Sequence, residues 1–335
     1  MASGIFFYGP TATISGGVAP RIGVFWLHGP LLCLRGPFDC PPAIMSLTVR
    51  SLHIYPIKSC HGIDLAQSQI GRAGLAHDRR WLIVTAAGQF MTQRQWPRMT
   101  LIHTALTGSA LYLSAPGMDD IEVALDGSQL ASEVELVTVW RDSIPARAES
   151  AALAGWMSRF LGEPCRLMRV DQQACRPARD EWVKGWRERH PQAADVFEGD
   201  HFFGFADGFP LLVTNQASLD DLNQRLAAKG HAPVPMDRFR PNIVLEGDDW
   251  AAFDEDLTVT IDFGHLRVAL VKPCTRCSIP DVDQATAVAN PEPGQTLAAY
   301  RNLDIGVVFG QNGIVDVRAE TTLRVGDSAE IELNF

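Results

Sequence analysis

The strongest constraint on the fold is a long succession of short β-type runs, each punctuated by Gly, Pro or Asp. Residues 47–54 alternate imperfectly between apolar and polar and stop at Pro56. Further runs fall at 81–85, 100–107, 110–114, 121–125 and 134–139, and strands return at 211–213, 243–246, 257–263, 266–271, 306–309, 313–317 and 329–333. Many short strands separated by turn signals suggest a barrel-like or sandwich-like sheet. Two segments have helical spacing instead. Residues 150–161 place Leu153, Trp156, Met157, Phe160 and Leu161 on one face, with Gly162 just beyond. Residues 218–229 turn Leu219, Leu222 and Leu226 inward, with Ser218 as N-cap and Gly230 after the end. The expected class is mainly β with peripheral helices, an α+β arrangement.

A chain of 335 residues predicts about two domains. The expected division is 46–165, a polar connection or lid at 166–199, and 200–335. Residues 1–44 differ from the rest, being rich in Gly, Pro and small residues, with Arg21, Arg35 and Asp39 as their charged residues. Only Arg21 precedes the apolar piece there and no clear cleavage site follows, which opposes a secretory signal. They read as a disordered or over-called extension, with a targeting or membrane-associating segment as the alternative. A net charge of -10, with no basic patch interleaved with aromatics, argues against a nucleic-acid polymer as partner. Seven scattered cysteines suit a reducing compartment, so a cytoplasmic location is expected. No apolar run reaches the roughly 18 residues of an integral membrane span.

The chemistry concentrates in Lys272-Pro273-Cys274-Thr275-Arg276-Cys277-Ser278-Ile279-Pro280-Asp281-Val282-Asp283, straight after an apolar strand-like run. Two thiols lie beside two cations. A thiolate near positive charge is a good nucleophile or metal ligand, and thiolates suit soft or thiophilic metals. The chain has no second CxxC, so this is not half of a four-cysteine zinc site. A thioredoxin motif opens a helix, which Pro280 opposes.

This stretch resembles the segment of the MOSC family that carries a molybdenum-ligating cysteine, as in its YcbX-like branch and in the mitochondrial amidoxime-reducing proteins. The resemblance extends through Tyr55-Pro56-Ile57-Lys58-Ser59-Cys60, Asp78-Arg79-Arg80-Trp81, Thr92-Gln93-Arg94-Gln95, Phe205-Ala206-Asp207-Gly208-Phe209-Pro210, Phe239-Arg240-Pro241-Asn242, Phe309-Gly310-Gln311-Asn312 and Leu323-Arg324-Val325-Gly326-Asp327. It covers residues 46–335 and implies a β-rich N-terminal domain followed by a MOSC β-barrel.

The resemblance implies a molybdenum cofactor, a phosphorylated pterin dithiolene on molybdenum, with Cys277 as protein ligand. Lys58, Ser59, Arg79, Arg240, Asn242 and Arg276 are then expected around it. Arg forks suit phosphate and pterin edges, and Lys supplies a point charge. Asn242 can meet a heterocycle or orient a backbone loop. Asp207 matches an acidic position near the metal and is expected to pass protons to substrate, its alternative being an Asx-turn residue before Gly208. Cys277 could instead be a buried inert thiol, and Cys274 a loop support or the partner in a disulfide with Cys277.

The implied reaction is two-electron oxygen removal from N-hydroxylated compounds: hydroxylaminopurines, amidoximes or hydroxamic acids. Two alternatives stay open, a sulfur carrier or transferase using a Cys277 persulfide, and a non-enzymatic molybdenum-cofactor carrier. The C-x4-C-x2-C ligands of the ferredoxin domain found in close YcbX-like relatives are missing, so no iron–sulfur cluster is expected, nor pyridoxal phosphate. Electrons are then expected from a separate protein of the ferredoxin, flavodoxin, flavoprotein-reductase or cytochrome b5 type. Two further departures concern the site. Pro280 enters the segment after Cys277, and Arg238 stands where the amidoxime-reducing proteins have Asn, so pocket shape and one pterin contact are expected to differ.

Overall fold

In a computed structural model, which describes residues 46–317 and 321–333, seven strands close into a barrel. Their order is Leu211–Asn215, Ile243–Glu246, Ser46–Ile54, Ser328–Leu333, Thr258–Asp262, Arg267–Thr275 and Gly306–Asp316, which pairs back with Leu211–Asn215. Neighbours are antiparallel except Leu211–Asn215 with Ile243–Glu246. That parallel pair needs a crossover, supplied by the helix Gln216–Ala228. The readings placed on residues 1–44 lie outside the described residues.

Local sequence explains the strand geometry. The imperfect alternation of the first strand is a bulge: its register shifts between Val49 and Ser51, so Leu47 and Val49, then Leu52 and Ile54, all reach the barrel core. The runs at 306–309 and 313–317 are one strand, Gly306–Asp316. Gly310 lets it continue, because its φ is 74° and a Cβ there would lie 2.7 Å from Thr214 Cγ2 and 2.8 Å from the Val213 carbonyl oxygen. The run at 266–271 extends to Thr275, carrying Lys272, Pro273 and Cys274 in strand conformation. Residues 97–101 form a 3-10 turn opened by Pro97, so the strand expected from 100 starts at His103.

Between the first barrel strand and residue 170 lies a second β layer. Glu135–Val139, Asp142–Ala148, Cys165–Val170 and Trp81–Thr85 make a four-stranded sheet, and His103–Leu106, Ala110–Ser114 and Ile121–Ala124 a three-stranded meander. The helix Ala151–Leu161 is capped by Ser150 and closed by Gly162 in left-handed conformation. It buries Leu153, Trp156, Met157 and Phe160 in a core with Trp81, Ile83 and Leu113.

The 216–228 helix is capped by Asn215, whose side chain accepts from the Ala217 amide at 2.9 Å, and not by Ser218. Ser218 turns inward to Glu255. The polar stretch before the barrel strand Leu211–Asn215 holds the helix Asp180–Arg189, which buries Val183 and Trp186 with Ala269 and Val271 of the barrel. Among the described residues no helix is long and apolar enough to cross a membrane.

Candidate active site

Strand pairing assembles one cleft. Asn312 lies across from Leu212 on one side and Lys272 on the other, so the turn before residue 211 meets the segment leading to Cys277. The cleft has a volume of about 310 Å³, and its walls include Lys58, Ser59, Arg79, Asp207, Arg240, Asn242, Arg276 and Cys277. The structure thus brings together all eight residues singled out in the sequence.

Lys58 and Asp207 form the ionic centre. Lys58 Nζ donates to Asp207 Oδ1 at 2.6 Å and to the Phe205 carbonyl at 2.9 Å. Trp140 Nε1 donates to the same Oδ1 at 2.9 Å. The surrounding protein pushes the Asp207 carboxyl up, but the Lys58 ammonium, its hydrogen bond, the Trp140 indole and Arg79 outweigh this and hold it well below the usual carboxylate range. Burial draws Lys58 below its ordinary range even though Asp207 pulls it up. Asp207 is therefore an anion at neutral pH. In this state its carboxyl accepts hydrogen bonds, and the proton shared by the pair sits on Lys58.

A second assembly surrounds Tyr55. The Arg79 and Arg240 guanidiniums lie 4.3 and 4.1 Å from its ring centroid. Arg79 donates to both carboxylate oxygens of Asp78 (2.8 and 2.7 Å) and, through Nη2, to the Arg240 carbonyl at 2.9 Å. Arg240 Nη1 donates to the Cys60 carbonyl at 2.7 Å, while its buried Nη2 has no partner among the described residues. Burial lowers Arg240 to about 10. Ser59, Arg79 and Arg240 all adopt left-handed backbone, with φ of 68°, 47° and 55°. Such strain persists only where surrounding contacts enforce it. Cys60 is buried, its thiol pushed up to about 12 by desolvation, and acts as a packing residue.

Asn242 spends its side chain on backbone. Its Oδ1 accepts from the Leu212 amide at 3.1 Å and its Nδ2 donates to the His53 carbonyl at 3.2 Å. It braces the cleft wall, the second of the two uses open to it from sequence. Arg276 donates to Cys274 Sγ at 3.1 Å and to the Phe239 carbonyl at 2.8 Å, leaving Nε buried without a partner among the described residues. Cys277 is exposed, contrary to a buried inert thiol, and Cys274 is partly buried beside Arg276.

Several residues escaped the sequence reading. Arg179 and Trp182, at the start of the 180–189 helix, form a wall, and Lys272 Nζ lies 5.2 Å from the Trp182 ring centroid. Arg176 grips the 204–207 turn through three carbonyls, at Gly204, Ala206 and Asp207. Its other partner is Asp142, at 2.7 Å. Their signals in the sequence were the Lys272 cation, the motif position of Tyr55 and the reading of 166–199 as a connection or lid, which contains Arg176, Arg179 and Trp182. Among the described residues, seven cationic side chains, of Lys58, Arg79, Arg141, Arg179, Arg240, Lys272 and Arg276, line the cleft against two carboxylates, Glu181 and Asp207.

A β-barrel with a basic, thiol-bearing cleft defines the class, and sequence comparison agrees with it. The profile of the MOSC N-terminal beta barrel domain matches residues 46–164, and that of the MOSC domain residues 199–330. Human mitochondrial amidoxime-reducing component 1 is 32% identical over 84% of this chain and 81% of that protein. The rat mitochondrial amidoxime reducing component 2 is 31% identical over 84% of this chain and 82% of that protein. The chain therefore belongs to the MOSC family. Human molybdenum cofactor sulfurase is 26% identical over 83% of this chain but 31% of its own length. The solved YUAD protein from Bacillus subtilis gives a TM-score of 0.36 at 10% identity, covering 87% of this chain and 98% of that chain.

Proposed function

We propose that the chain is a molybdenum-cofactor-dependent oxidoreductase that reduces N-hydroxylated compounds such as amidoximes, hydroxamic acids and hydroxylaminopurines. The carrying observation is an exposed thiol, Cys277, beside a strongly cationic cleft in a chain of net charge -10. The donor set fits a phosphorylated pterin on a thiolate-ligated metal. Arg240 and Arg276 keep buried N–H donors without partners among the described residues, and an anion would satisfy them. Lys58, Ser59, Arg79, Arg240 and Arg276 would hold the phosphate and pterin edges, Asn242 would brace them, and Cys277 would ligate molybdenum. When bound, the molybdenum centre supplies the two-electron removal of oxygen from substrate.

The chain itself manages protons and access. Lys58, desolvated and paired with Asp207, is the acid that delivers a proton to the departing oxygen, and Asp207 holds the ammonium in place. Trp182 and Arg179 form one wall of the cleft. We assign electron supply to a separate protein of the ferredoxin, flavodoxin, flavoprotein-reductase or cytochrome b5 type. We place the protein in the cytoplasm, which the free thiols of Cys60, Cys165, Cys175, Cys274 and Cys277 support.

The test is metal and pterin content of protein from a host that makes the cofactor, wild type against Cys277→Ala. About one molybdenum and one pterin per chain, with metal lost or its coordination altered in the variant, is expected. Reductant-driven conversion of benzamidoxime is then expected for wild type alone. Protein without molybdenum or pterin, yet with cyanide-labile sulfur on Cys277, would be a sulfur carrier. Loaded protein with no turnover from any reduced donor would be a cofactor carrier.

A further inference from the structure

The two site departures read from the sequence, Arg238 and the Pro280 segment, touch each other in the fold. Arg238 does not line the cleft. Its side chain is buried, with Nη1 donating to the Pro280 carbonyl at 2.8 Å and Nη2 to Asp283 Oδ2 at 3.0 Å. Asp283 organises the turn at 283–286: its Oδ1 accepts from the amides of Ala285 (3.1 Å) and Thr286 (2.9 Å) and from the Thr286 hydroxyl (2.8 Å). On the other side of Cys277, the Arg276 amide donates to the Val307 carbonyl at 2.7 Å, and its guanidinium to the Phe239 carbonyl at 2.8 Å. Arg238 and Phe239 belong to one 3-10 turn, Met236–Phe239. Cys277 thus lies between two arginine clasps that meet on a single short turn. Its own thiol makes no hydrogen bond among the described residues, so its flanks set its position.

We infer that Arg238 and Asp283 form a latch that positions the Cys277 thiol in this chain. A planar guanidinium bonded through both terminal nitrogens fixes direction as well as distance, which a lysine ammonium would not. Groups that hold a ligand from behind set how well it meets its metal. The importance of the latch for metal ligation rests on the proposed function, but the latch is a property of the polypeptide and is testable without metal.

The experiment uses cofactor-free full-length protein and iodoacetamide. Alkylation of Cys277 and of Cys175 is monitored in the same sample by peptide mass spectrometry. Cys175 is exposed and serves as the internal reference. The Cys277-to-Cys175 rate ratio is expected to change by about threefold or more in Arg238→Gln and in Asp283→Asn. The double variant should change it no further than Arg238→Gln alone, because losing the guanidinium already removes its contact with Asp283. An ion pair that merely stabilised the fold would leave the ratio alone. An unchanged ratio in cooperatively melting Asp283→Asn protein, or additive effects in the double variant, overturns the latch. Should Arg238→Gln fail to fold, Asp283→Asn decides, since it leaves Arg238 bonded to Pro280. A wrong cofactor assignment would appear in the metal content of wild type and leave this ratio untouched.

Discussion

Asp207 is held as an anion by a buried ammonium, and this fixes what each partner can do. Asp207→Asn removes the charge that keeps Lys58 protonated, so burial lowers the lysine further. Turnover is expected to fall about 10²- to 10⁴-fold at neutral pH, with the alkaline limb of the kcat profile moved to lower pH. An unmoved limb would exclude Lys58 as the proton source. For stability the dependence lies at acid pH: the Asp207 contribution is complete above the ordinary carboxyl value of 3.8 and is lost as pH falls below it toward the depressed folded value. Much of this residue-level chemistry was legible, because cations, thiols and prolines in recognisable order mark their positions. Trp140 was not. It turns the chain between Glu135–Val139 and Asp142–Ala148 with a φ of 58°. Neither Trp140 nor Arg141 is the Gly or Asn that announces such a turn.

At the scale of elements, legibility failed where a tertiary partner outbid a local signal. Ser218 looked like a cap, yet its hydroxyl sits 2.9 and 2.8 Å from the two Glu255 oxygens and accepts from the Phe253 amide at 2.8 Å. Asn215 then takes the cap three residues earlier. The two C-terminal runs read as separate strands because Gly310 is a breaker by type, whereas here it is a bulge residue that backbone contact from Val213 demands. The Ser218–Glu255 contact has a measurable consequence. Burial raises the Glu255 carboxyl from 4.5 to about 7, with neighbouring Asp256 adding to it and the Ser218 hydrogen bond opposing. The fold favours the protonated form, so this stabilisation is complete below pH 4.5 and lost as pH rises through about 7. Urea melts should show stability declining across that window by on the order of 3 kcal/mol. Glu255→Gln, neutral at every pH and still able to bond Ser218, should flatten the decline. A wild-type curve already flat there would show that Glu255 titrates as an ordinary carboxylate.

Across the whole molecule, charge is segregated. The chain carries -10 overall, while seven cations converge on one cleft. Asp78 behind Arg79 softens this, as does Asp142, which Arg179 shares with Arg176, yet with Arg176 included positive charge still exceeds negative by four around the site. Two guanidiniums within 4.3 Å of one tyrosine ring centroid, on residues with left-handed backbone, are costly in the absence of an anion. Cofactor-free protein should therefore store instability in this cleft, and a polyvalent anion should relieve it. Inorganic pyrophosphate at about a hundred times its dissociation constant should add about 2.7 kcal/mol, a rise in melting temperature of roughly 5 °C. Sodium chloride of equal ionic strength should not reproduce it, because screening acts on all surface charges and does not fill a site. Arg240→Gln, which removes the guanidinium holding the unpartnered Nη2, should abolish most of the pyrophosphate effect. Equal effects of pyrophosphate and chloride, or a full effect in the variant, would mean that the cations of this cleft are solvated individually and do not form an anion site.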